Sequence, residues 1–272
     1  MLDHDKKSHA EILRELGRTD PRGKAWLQSA SYEDISSWLY SATNPPHQKV
    51  APRDFVEAAR LRALVPIFPD NGTRDRVCST CKNKSVSGWH PLNCHMTSKS
   101  NIQRHNNVTD VLSDFIRSNV PRAKIYKERA IPNPLRGQRS CVPDLTVETS
   151  NSTFHVDVAV TCPCNNKSYN KVVNTSSKLV EYKKTQKYMN SYGEQVTSTV
   201  VPFVVEATGR FGAAAENFAK NILNRSGTTA DIKSSKTKVK LLKSRVSATL
   251  VTGNGYVLRS GRTACGVTMN SK

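Results

Sequence analysis

Two aspartates interrupt otherwise apolar, β-branched runs in the stretch CVPDLTVETSNSTFHVDVAVT, residues 141–161. If Ser150-Asn151 forms a two-residue hairpin turn, position i pairs with 301 minus i (150 + 151), which sets Asp144 opposite Asp157 on one face. Carboxylates so placed lie about 5 Å apart. Such a pair is destabilising unless a cation sits between its members. Oxygen-only ligands favour Mg²⁺ or Mn²⁺ over softer metals, and such an ion can polarise a phosphate and activate water. A nearby ammonium would orient that water or neutralise developing charge. The candidates on the following segment are Lys178, Lys183, Lys184 and Lys187. The other hairpin face reads as Val142, Val147, Phe154, Val156, Val158 and Val160, so at least one side should be buried, although Pro143 could introduce a bulge.

A second constellation lies upstream. Cys78, Cys81, His90 and Cys94 follow the spacing C-x2-C-x8-H-x3-C, four soft ligands within 17 residues of a chain that has no cysteine before position 78. That spacing suits one tetrahedral Zn²⁺ with no position left for water, hence a structural site holding a short module that could rest against a nucleic acid. His95 sits on the same turn as Cys94 and is an alternative fourth ligand.

These side chains need a scaffold, and hydrophobic periodicity supplies its outline. Residues 1–70 read as helical, with Ile12, Leu13 and Leu16, then Phe55, Ala58, Ala59 and Ala63, at helical spacing around the break Asn44-Pro45-Pro46. From residue 101 an amphipathic helix is expected, with Ile102, Val108, Leu112, Phe115 and Ile116 on its apolar stripe and Pro121 closing it. The hairpin follows, then a lysine-rich helix stopped by Gly193, a strand around 196–209, a helix from Ala213, a basic linker and a last helix from about Lys236. Helix, strand, strand, helix, strand, helix describes an α/β fold, a mixed sheet with helices on its faces.

Composition narrows the partner. Lys and Arg outnumber Asp and Glu by 41 to 22 in 272 residues, and the resulting net charge of +19 is spread along most of the chain. A soluble polyanion, nucleic acid above all, DNA or RNA, is the expected partner, because cationic surface attracts phosphates and releases their counterions. The N-terminal stretch MLDHDKKSHAEILREL is charged throughout, and no run approaches the roughly 20 apolar residues of a membrane span, so neither secretion nor membrane insertion is expected. Seven cysteines, an odd number, favour metal or thiol chemistry in a nuclear or cytoplasmic setting over a disulfide framework.

Pro143-Asp144, twelve intervening residues, Asp157 and then Lys184-x-x-Lys187-Tyr188 resemble the PD-(D/E)xK nuclease pattern. More narrowly they resemble the restriction-like endonuclease domain of site-specific non-LTR retrotransposons. That family carries a Cys-Cys-His-Cys knuckle upstream and an RHN helix start, matched here by Arg104-His105-Asn106. Asp54-Phe55 with Leu61-Arg62, PFVVEATGRFG at 202–212 and RVSATLVTGNG at 245–255 extend the likeness over roughly residues 50–258. The resemblance implies a restriction-endonuclease-like core that hydrolyses phosphodiester bonds, nicking one DNA strand per site. Asp144 and Asp157 would be Mg²⁺ ligands and Lys184 the catalytic lysine, while Arg104, His105, Lys183 and Lys187 would grip nucleic acid. Two departures stand out. The usual lysine position, two residues past the second acid, is Ala159 here, which leaves Lys183 and Lys187 as rivals on the following helix. The family's four-residue gap between knuckle His and Cys is three here, and His95 would restore it.

The expected organisation is a helical segment over 1–75, a knuckle over 76–97, the endonuclease domain over 98–258 and a basic flexible tail over 259–272. Such elements normally place a reverse transcriptase before the nuclease, and residues 1–75 are too short for one. A free-standing nuclease, a domesticated copy or the end of a truncated element would each account for that. A binding module that kept the fold without turnover is the alternative.

Overall fold

The computed structural model describes residues 3–32, 34–40, 49–65, 78, 81, 89–94, 97–133, 140–164, 175–197, 199–224 and 231–264. In chain order its elements are α1 (Asp3–Thr19), α2 (Pro21–Ala30), α3 (Pro52–Arg62), α4 (Ser98–Asn119), β1 (Lys124–Lys127), β2 (Leu145–Thr149), β3 (Ser152–Thr161), α5 (Thr175–Thr197), β4 (Val200–Glu206), α6 (Ala213–Asn224) and α7 (Asp231–Ala264), with short 3-10 turns at Ser37–Tyr40 and His90–Leu92. The class is α/β: one four-stranded mixed sheet, ordered β1-β2-β3-β4 and flanked by helices.

The hairpin at the centre of the sheet has the expected register. β2 and β3 pair antiparallel with Leu145 opposite Val156 and Thr149 opposite Ser152, which leaves Ser150-Asn151 as the turn. Asp144, one residue before β2, therefore lies beside Asp157. β4 runs parallel to β3, with Asp157 opposite Pro202. Parallel neighbours need a long crossover, and α5 provides it. β1 pairs antiparallel with β2 at the sheet edge. Sequence reading did not anticipate this four-residue, mostly exposed strand, because an edge strand with one thin face carries little hydrophobic signal.

Strand alternation sends even- and odd-numbered side chains of β3 to different layers. Val156 and Val158 join Phe203, Val205 and the apolar faces of α4, α6 and α7 in the main core. Asp157 points the other way, toward α5, whose Tyr188 packs with Ile131 and Cys141. Val142 departs from the sequence reading. On its side of the hairpin it shares the parity of Asp144 rather than that of the buried Val147, and it is 47 % exposed. Ile102 departs as well: Val108, Leu112, Phe115 and Ile116 are buried, whereas Ile102 is 60 % exposed.

The lysine-rich helix breaks at Gly193, as expected: the backbone takes φ 71° there, a left-handed value that a side chain disfavours, and a second short helical stretch then completes α5 to Thr197. The final helix runs further than expected. Residues 259–264, assigned to a flexible tail, are helical, and Arg259 and Arg262 pair with the buried carboxylates Asp54 and Glu57 of α3. Removing one partner of either pair would strand a charge between α3 and α7. Two glycines of α7 allow close approaches, Gly253 to α4 and Gly255 to α3. A Cβ on Gly253 would meet Arg104 Cγ at 2.7 Å, and one on Gly255 would meet Asp54 Oδ1 at 2.6 Å. Residues 265–272, the rest of the expected tail, lie outside the described residues, as do residues 82–88 within the knuckle loop.

Candidate active site and metal centre

The acid pair sits where β2 enters the sheet beside β3. Asp144 Oδ2 accepts a hydrogen bond from the Val158 backbone N–H at 2.6 Å, and its own carbonyl accepts from Glu128 N–H at 3.1 Å, so both backbone and side chain are pinned. His105, on the second turn of α4, places Nε2 3.4 Å from the same Oδ2 and 3.3 Å from the Val158 carbonyl oxygen. Burial pushes the Asp144 carboxyl up, but the hydrogen bond and charge of His105, the Val158 N–H and the Lys184 ammonium outweigh it and hold the group below its ordinary value. Donating to Asp144 in turn raises the His105 imidazole, against the opposing effect of burial.

Asp157 is more deeply enclosed, 6 % exposed. It takes its partners from α5: Lys184 Nζ donates to Oδ1, and Lys187 Nζ lies 3.5 Å from Oδ2. Helical geometry explains the pairing. Residues three apart share a face, whereas adjacent residues diverge by about 100°, so Lys183 points outward and is exposed. Tyr188 is fully buried behind the acid, and burial together with the Asp157 charge strongly opposes ionisation of its phenol.

The candidate metal cluster is compact. The ligand atoms of Cys78, Cys81, His90 and Cys94 all lie within 4.8 Å of one another, with the Cys78 and Cys94 sulfurs 3.6 Å apart and Cys81 Sγ 3.5 Å from His90 Nε2. A tetrahedron with Zn–S bonds of about 2.3 Å has edges of roughly 3.8 Å, so this donor set fits a soft divalent ion such as zinc. No disulfide joins the described cysteines. His95, the alternative ligand, lies outside the described residues.

Arg104, read from sequence as a nucleic-acid contact, is instead 3 % exposed. Its Nη1 donates to Asn254 Oδ1 at 2.7 Å and its Nη2 to the Leu92 carbonyl at 3.3 Å, which ties α4 to α7 and to the turn between the knuckle ligands. Burial lowers its pKa to about 10. His105, assigned the same role, faces Asp144. Lys187, 51 % exposed, addresses Asp157 and solvent together. The sequence signal for His105 was the Arg104-His105-Asn106 match, expected at a helix start; α4 begins earlier, at Ser98, and the motif does not reveal which strand the helix will cross.

A cleft of about 550 Å³ connects both constellations. Asp144, Asp157, His105 and Lys184 line one end and Leu92, Asn93 and Cys94 the other, with the first turns of α4 between them. No protein-family model matches the chain, and no curated protein matches it. Among the described residues, no helix is long and apolar enough to cross a membrane.

Proposed function

We propose that the chain is a metal-dependent DNA endonuclease of the restriction-like type, derived from or related to the nuclease of a non-LTR retrotransposon, and that it works on nuclear DNA. The observation that supports this most is the convergence of Asp144, Asp157 and Lys184 at one end of an open cleft. The donor set suits a hard cation: two carboxylates and the neighbouring Val158 carbonyl oxygen, all oxygen ligands. When bound, Mg²⁺ or Mn²⁺ would polarise the scissile phosphate and activate water. The chain's own residues do the rest. Val158 N–H and His105 keep Asp144 ionised and oriented, Lys184 holds its ammonium against Asp157 where charge develops on the phosphate, and the cationic surface binds the backbone. RNA is the second candidate polyanion, on charge alone. Zn²⁺ at the Cys78, Cys81, His90, Cys94 cluster would hold the far wall of the cleft.

One observation favours a binding module without turnover. Both carboxylates already have protein partners, His105 for Asp144 and two lysines for Asp157, so their proximity alone does not require a cation. Conversion of supercoiled plasmid to nicked circles, with and without added Mg²⁺, decides between the two readings. The nuclease nicks only with metal and stops when Asp144 is replaced by Ala; the binding module retains DNA affinity and never nicks.

A further inference from the structure

We infer that the cleft between the carboxylate pair and the knuckle is a subsite for an unpaired nucleobase next to the scissile phosphate, with Ile102 packing against the base and Asn101 accepting a hydrogen bond from its edge. The inference rests on the nuclease reading for what happens at the phosphate, but its own observations lie elsewhere in the cleft.

Ile102 belongs by sequence to the apolar stripe of α4, yet it is 60 % exposed and lines a cleft whose other residues are largely polar. It sits one helical turn before His105, so it borders the space beside Asp144. Burying a large apolar side chain exposed in a polar cleft against a planar ring is favourable. A base offers its face only when it is unstacked.

Asn101 supplies the polar half. Its Nδ2 donates to Thr97 Oγ1 at 3.0 Å. The orientation of the amide follows from proton counting. Thr97 has one hydroxyl proton, directed at the Pro91 and Cys94 carbonyls at 2.5 and 2.9 Å, so toward Asn101 it can only accept. The amide nitrogen must face Thr97, and Asn101 Oδ1 is left buried with no hydrogen-bond partner. The same wall holds Arg104 Nε, a second buried atom without a partner. Orphaned buried polar atoms are rare and call for a ligand or water. Every base carries N–H donors on its Watson–Crick edge, but in a paired duplex that edge is closed. An exposed apolar side chain and an orphaned acceptor therefore select the same partner, a base already out of its pair. The knuckle acquires a role as well, because Pro91 and Cys94 set the Thr97 hydroxyl that sets the amide.

The test is binding of fluorescein-labelled DNA duplexes, either fully paired or carrying three unpaired nucleotides at the centre, to the full chain without added divalent cation. The unmutated protein should prefer the unpaired substrate by about 10-fold, of the order expected when most of one large aliphatic side chain is taken out of water. Ile102→Ala and Asn101→Ala should each reduce that preference about 5-fold or more, with zinc content and melting temperature retained. Gln103→Ala, whose amide pairs with Asn107 on the exposed face, should leave the preference as it was. Equal affinity of the unmutated protein for both duplexes overturns the subsite, whether or not the protein nicks plasmid. A preference that survives both substitutions in folded, zinc-loaded protein overturns it too. A preference that depends on Ile102 and Asn101 in a protein that never nicks supports the subsite and removes the nuclease reading alone.

Discussion

At the Cys78, Cys81, His90, Cys94 cluster all four ligands come from 17 consecutive residues, whereas the cleft around Asp144 and Asp157 draws on α4, the start of β2, β3 and α5. The two sites are also balanced differently. Three thiols and an imidazole brought together become ligands by losing protons, and only a cation then relieves their mutual repulsion. Each carboxylate, by contrast, has a basic protein partner, His105 or the two lysines. A site whose charges are balanced within the fold should persist without metal. One built from ligands alone should not.

The largest expected effect tests that contrast directly. Structural zinc contributes on the order of 10 kcal/mol of local folding free energy at neutral pH. Cys78→Ser, or stripping with a zinc-specific chelator, should therefore release the zinc and open the segment around 78–94 to protease, read by elemental analysis and limited trypsin digestion. Omitting Mg²⁺ should leave both the digestion pattern and the melting temperature unchanged. If zinc loss changes neither, the contrast fails.

Next in size is catalysis. Lys184→Ala should lower the rate of plasmid nicking by about 10²-fold or more, while Lys187→Ala, on the more exposed partner of the same carboxylate, should lower it less. The opposite ranking in nicking assays would make Lys187 the catalytic ammonium.

A smaller effect follows from the pair of His105 and Asp144. The imidazole is raised, so its contribution is complete below the ordinary value of about 6.5 and is lost as pH rises through the raised value. The carboxyl is lowered, so its contribution is present above about 3.9 and is lost as pH falls through the lowered value. Metal-free protein should thus lose melting temperature as pH rises from about 6.5, by the equivalent of roughly 1 kcal/mol or less for a partly exposed pair. His105→Asn should flatten that slope. A mutant with the same slope assigns the pH dependence to other groups.

The smallest effect belongs to the outward lysine. Lys183→Ala should reduce the salt dependence of DNA binding by about one unit of log–log slope and leave the nicking rate at saturating DNA nearly unchanged. A slope that does not move takes Lys183 out of the binding surface.

The Cys/His cluster was legible because its signal is local: close spacing brings the ligand atoms of Cys78, Cys81, His90 and Cys94, which could hold a metal ion, within 4.8 Å of one another. The facing of Asp144 and Asp157 was legible for a related reason, since a two-residue turn and strict strand alternation propagate register along a hairpin. The α/β class followed from the order of periodic segments. Contacts between segments distant in sequence are another matter, because periodicity reports which face is apolar and not what will cover it. Nothing along α4 distinguishes Arg104, drawn into a bond with Asn254, from His105, turned onto Asp144, or reveals that Ile102 leaves the apolar stripe for an open cleft. The assignment of Lys184 and Lys187 rather than Lys183 to Asp157 depends on how α5 is rotated over β3, and the helical extension past residue 258 depends on Asp54 and Glu57 some two hundred residues earlier. Local spacing and register are written into the chain by backbone geometry. The rotation of helices over the sheet, and with it the partners of every charged group in the cleft, is chosen only when the whole core packs.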